Sequence, residues 1–133
     1  FGFDKEEGLK YILISEKGCA DPSTEYSLEL TDGLLPLDTH TFDKDALIIE
    51  NEQIHKVTLY TKEKKAYLSL HFHAPVVGLW SPPAKNAPFV CIEPWHSLPS
   101  AENDPQEWNE RAAAVCLAPG KRWSTTLSTT VER

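Results

Sequence analysis

No stretch of this chain sustains the 3.6-residue apolar spacing that lets a helix bury one face. Short apolar or alternating runs recur instead, each closed by glycine, proline, aspartate or asparagine. Tyr11-Ile12-Leu13-Ile14 stops at Glu16-Lys17-Gly18, and Asp21-Pro22-Ser23 is a second turn. Tyr26, Leu28 and Leu30 then alternate with Ser27 and Glu29, the period-2 mark of a half-buried strand. Ala46–Ile49 is a buried strand, and Val57–Tyr60 with Tyr67–His73 reads as a hairpin across a Lys/Glu turn. Val76–Trp80 and Phe89–Trp95 follow, and Ala112–Leu117 with Arg122–Thr129 closes the chain around Pro119-Gly120. Asp104-Pro105 offers one helical turn, with Asp as cap and Pro at the first helical position. About eight or nine short strands joined by tight turns predict an all-β, antiparallel β-sandwich.

The run Phe89-Val90-Cys91-Ile92-Glu93-Pro94-Trp95 carries the chemistry. It reads as a buried strand holding one carboxylate. Side chains alternate across a strand, so Phe89, Cys91, Glu93 and Trp95 share one face. Pro94 offers the ladder no donor and marks a strand end or a sheet edge. An acid desolvated beside an aromatic ring is costly unless it is paired, hydrogen-bonded or used. A structural ion pair or a solvated strand-end carboxylate satisfies the same spacing.

The net charge of −7 argues against a nucleic-acid partner. No run approaches the length of a membrane span, so no membrane partner is expected. Cys19, Cys91 and Cys116 are odd in number and far apart, which suits free thiols in a reducing cytoplasm better than a disulfide scaffold or a zinc site. Among the histidines, His71 and His73 sit two apart and point the same way, a pattern from which β-fold metal sites begin. No glutamate follows them closely, as a cupin-type site would require, so neither a metal nor a cofactor is expected.

"PFVCIEPW", preceded by "VVGLWSPP" and followed by "LAPGKRWSTTLST", resembles the C-terminal part of the aldose 1-epimerase (galactose mutarotase-like) family. "FDKDALIIEN" resembles that family's strand with a sugar-binding aspartate. The resemblance implies a large antiparallel β-sandwich and an isomerase that interconverts the anomers of a hexose or hexose derivative. It implies Glu93 as the catalytic base and Asp45 as an acceptor for sugar hydroxyls. A plain strand-start aspartate is the other reading of Asp45. Trp95 could offer a flat apolar surface to the sugar, or be a core residue, and Trp80 suits the core better. A non-catalytic carbohydrate-binding protein would use the same residues only to hold hydroxyls.

The chain contains no methionine and begins "FGFDKEEG". In the resembled family the segment just before this point reads like "GGHPaF", with Phe1 as its last letter. Residues 1–133 are therefore expected to be the C-terminal portion of a single β-sandwich domain whose N-terminal portion lies outside this chain. That missing portion is the expected partner and the source of the acid histidine. His96 is expected at the rim of the site, and His40 and His55 in solvent.

Overall fold

In the computed structural model, which describes residues 1–105 and 107–132, nine strands form. They are β1 (Gly2–Phe3), β2 (Lys10–Ile14), β3 (Ala20–Ser27), β4 (Leu47–Ile49), β5 (Lys56–Tyr60), β6 (Ala66–Phe72), β7 (Val76–Trp80), β8 (Cys91–Trp95) and β9 (Leu127–Val131). All named pairings are antiparallel, in a four-stranded sheet ordered β1-β5-β6-β9 and a five-stranded sheet ordered β3-β2-β4-β7-β8. The protein is an all-β sandwich with a single short 3-10 turn, Trp108–Glu110, among the described residues.

The β5–β6 hairpin forms where alternation predicted it. Lys64 takes a left-handed φ of 59° at its tip, and the Thr61 and Lys65 backbones close the loop. On β6, Leu70 and Phe72 turn inward, while Tyr67 and His71, and His73 just beyond the strand, are exposed. Ser69, on that outward face, is nonetheless fully buried. Its hydroxyl donates to Glu132 Oε1 (2.6 Å) and contacts Thr58 Oγ1 (3.0 Å), so a polar side chain is covered and satisfied.

The main core lies between the sheets. Leu47, Leu79 and Ile92 stand in register across β4, β7 and β8, with Ile49 beside Val77, and all point inward. Val57, Leu70 and Phe72 meet them from the other sheet, and Leu9, Phe42 and Ile54 fill the ends. Burial of this kind is the dominant favourable term in folding.

Several local expectations change. The Asp21-Pro22-Ser23 turn lies inside β3. Asp21 Oδ1 accepts the Ser23 N–H (3.1 Å), and the β2–β3 register slips between Tyr11 and Leu13 to absorb the excursion. The 3-10 turn starts at Trp108 rather than at Asp104. Ala112–Leu117 is not a strand. Ala113 has a left-handed φ of 57°, which breaks extended geometry, and Val115 and Leu117 are exposed. The final strand begins at Leu127 instead of Arg122. Cys116 is exposed and unpaired, whereas Cys19 and Cys91 are half-buried.

Candidate functional site

Strand β8 is the edge of the five-stranded sheet, where a proline at 94 leaves no inner ladder short of a donor. The expected buried strand is only half-buried along its whole length, because one side of it has no neighbour. Phe89, just before it, is half exposed and sits beside Trp80, with ring centroids 6.5 Å apart.

Glu93 occupies a defined register. Ile12, Ile48, Gly78 and Glu93 stand opposite one another across β2, β4, β7 and β8. This row looks away from the sandwich interior, because the next residues, Leu47, Leu79 and Ile92, look into it. A second apolar cluster of Ile12, Ala20, Ala46, Ile48 and Val76 covers the outer face, with Trp80, Trp95 and Leu98 packed against it. The chain leaving β8 bridges Ala101 to Ala20 at the opposite edge of the sheet. Four strand spacings, about 19 Å, are within reach of the six intervening steps when extended. The row thus ends, at the β8 edge, in the only carboxylate it contains.

Trp95 sits directly opposite Val76, but its ring reaches back over Gly78. A Cβ placed on Gly78 would fall 2.6 Å from Trp95 Cζ2 and 2.7 Å from Cη2. The indole is therefore beside the cross-strand partner of Glu93. Sequence reading did not single out Gly78; a lone glycine inside an apolar strand was the available signal. Partial burial pushes the Cys91 thiol up, and the negative charge of the nearby Glu93 pushes it further. Among the described residues, no lysine, arginine or histidine forms an ion pair with Glu93. An open cavity of about 430 Å³ adjoins Trp95, walled by Pro94, His96, Ser97, Leu98 and Pro99, without Glu93 in its lining.

Asp45 lies two residues before the first residue of β4 in the same sheet and is exposed. Its φ of 72° is left-handed, and its Oδ1 accepts the Ala46 N–H at 2.7 Å. Three residues and two strand spacings separate it from the Glu93 register, about 14 Å between backbones. The two carboxylates do not touch.

Four of the five histidines make contacts away from Glu93. His96 Nε2 lies 3.0 Å from the His73 carbonyl, and its ring meets Trp123 edge-on at 4.6 Å. The His73 ring lies tilted against that of His55, centroids 5.5 Å apart, and His40 pairs with Asp43 at 2.8 Å. The Asp43 carboxylate holds the His40 imidazole above its ordinary range. Among the described residues, no three His, Cys, Asp or Glu side chains gather as a metal site would. No helix among them is long and apolar enough to cross a membrane.

No protein-family model matches the chain, and no curated protein matches it. Among solved structures it is similar to the crystal structure of a galactose mutarotase-like protein from Lactobacillus casei, with a TM-score of 0.76 and 22% sequence identity. The match covers 96% of this chain and 43% of that one. This likeness shows the fold, a galactose mutarotase-like β-sandwich. The chain spans less than half the length of the protein it matches.

Proposed function

We propose that this chain carries the sugar-binding face of an aldose 1-epimerase-like isomerase, which interconverts the α and β anomers of a hexose. The observation that carries the reading is Glu93, a half-buried carboxylate on the outer sheet face, beside an indole and without a cationic partner among the described residues. Such a group is costly to desolvate for structure alone. In the proposed mechanism Glu93 takes the proton from the C1 hydroxyl while an acid protonates the ring oxygen. The ring opens, and closure on the other face gives the other anomer.

The acid is supplied by the N-terminal portion of the same protein, and residues 1–133 form the C-terminal part of one domain with it. His96 is a poor candidate for the acid, since its ring is already committed to the His73 carbonyl and Trp123. The exposed Val115, Leu117, Trp123 and Leu127 are apolar surface that such a portion would cover. The same lack of a local acid favours the second reading, a carbohydrate-binding protein with no turnover.

Anomer exchange of galactose and glucose, followed by NMR beside sugar affinity, separates the readings. Exchange is expected in the chain joined to the segment that precedes it, and not in residues 1–133 alone. Full exchange by the chain alone would remove the divided-domain reading; binding without exchange in both would leave the binding protein.

Asp45→Asn tests the second carboxylate. Asparagine tolerates left-handed backbone and keeps the oxygen that caps Ala46, so the fold is expected to stand. If Asp45 Oδ2 accepts a sugar hydroxyl, the variant loses about 1–3 kcal/mol of charge-assisted hydrogen bonding, shared between KM and kcat. Unchanged kinetics would return Asp45 to a plain strand-start role.

A further inference from the structure

We infer that Gly78 is a positioning residue of the site: by lacking a side chain, it seats the Trp95 ring against β7 beside Glu93. The inference rests on the sugar-site reading for its purpose, though not for its geometry. A glycine in the middle of a buried strand costs conformational entropy and contributes no packing, so its presence calls for a cause. The backbone does not supply one, since Gly78 is not among the residues with positive φ. The ring does. A Cβ at 78 would lie 2.6, 2.7 and 3.2 Å from three consecutive atoms of the Trp95 indole, and no other side chain stands among its three nearest neighbours.

The direction of the ring matters. Trp95 is paired with Val76, whose own side chain stands on the same outer face directly across from it. The indole leans diagonally, into the row of Ile12, Ile48, Gly78 and Glu93, as long aromatic side chains can across a sheet. Gly78 is the one member of that row without a side chain to stop it. The indole is pinned between the apolar cluster of the outer face and the β7 backbone, next to the position opposite the carboxylate. A pyranose placed with its C1 hydroxyl at Glu93 would meet this ring as its side wall, so the seat fixes how the sugar is presented to the base.

The test uses the full-length protein labelled with 5-fluorotryptophan, the Trp95 resonance being assigned by its loss in Trp95→Phe. Gly78→Ala is expected to shift the Trp95 resonance and leave that of Trp108 in place. Affinity for galactose, as the probe sugar, should fall by about tenfold in Gly78→Ala and in Trp95→Ala. Adding Gly78→Ala to Trp95→Ala should cost less than about twofold more, because contacting residues couple. Should Gly78→Ala fail to fold, Trp95→Ala in the same chain is expected to restore folding by removing the ring that the new methyl strikes. An unmoved Trp95 resonance, an additive double variant, or an unrescued fold would each overturn the seat. If the wild-type protein binds neither galactose nor glucose, the proposed function falls, while the resonance and the rescue still decide the role of Gly78.

Discussion

Replacing Glu93 with glutamine is expected to leave sugar binding within about twofold of wild type and to slow anomer exchange by about 10²–10⁴-fold, the range for loss of a general base. Glutamine has the same length and keeps one carbonyl oxygen, so β8 retains its packing. What disappears is the basic oxygen. Proton abstraction belongs to the transition state, so the loss should fall in kcat with KM little changed. The measurement is exchange-rate NMR at saturating galactose, with affinity measured separately, in the protein containing this chain in full. A Glu93→Gln variant turning over at near the wild-type rate would place the base elsewhere. A non-catalytic sugar-binding protein would show no exchange before or after the change.

Much of the fold was legible because strand alternation is a local signal. Val76–Trp80 is a strand at the bounds its apolar run marked, and the β5–β6 hairpin sits where two runs flank a lysine-rich turn. Strands read less well where tertiary context decides. The apolar letters of Ala112–Leu117 look like a strand, yet Ala113 turns left-handed and no ladder partner takes the segment. Phe89–Trp95 reads as buried, yet β8 is only half-buried; Pro94 marks the edge in the sequence, while the exposure that an edge brings is a property of neighbours. The site was legible in the same uneven way. Alternation put Cys91, Glu93 and Trp95 on one face, but it carried no information on the diagonal lean of the indole, which depends on a glycine of another strand. Asp45 is legible from its motif, while its left-handed backbone and its bond to Ala46 are set by the turn that leads into β4.

Leu79→Ala is expected to destabilise the protein by about 2–5 kcal/mol, the cost of removing a large buried aliphatic side chain and leaving a cavity. Leu79 is wholly inaccessible to solvent and lies between Leu47 and Ile92 in the inward register. Against a typical total of about 5–15 kcal/mol, that is a large share. Lys62, exposed in the β5–β6 turn, is the control, and Lys62→Ala should stay within about 0.5 kcal/mol. Urea unfolding reads both, and a lower midpoint with an unchanged slope marks a true loss of stability. The location gives a second readout. In the five-stranded sheet β8 pairs only with β7, and Leu79 underlies the pairing of Gly78 with Glu93. A cavity there should therefore raise amide hydrogen exchange in β7 and β8 more than in the β5–β6 hairpin, since openings follow local packing. Equal acceleration across both sheets would mean that the sandwich opens only as a whole, and that the Glu93 edge has no separate stability to lose.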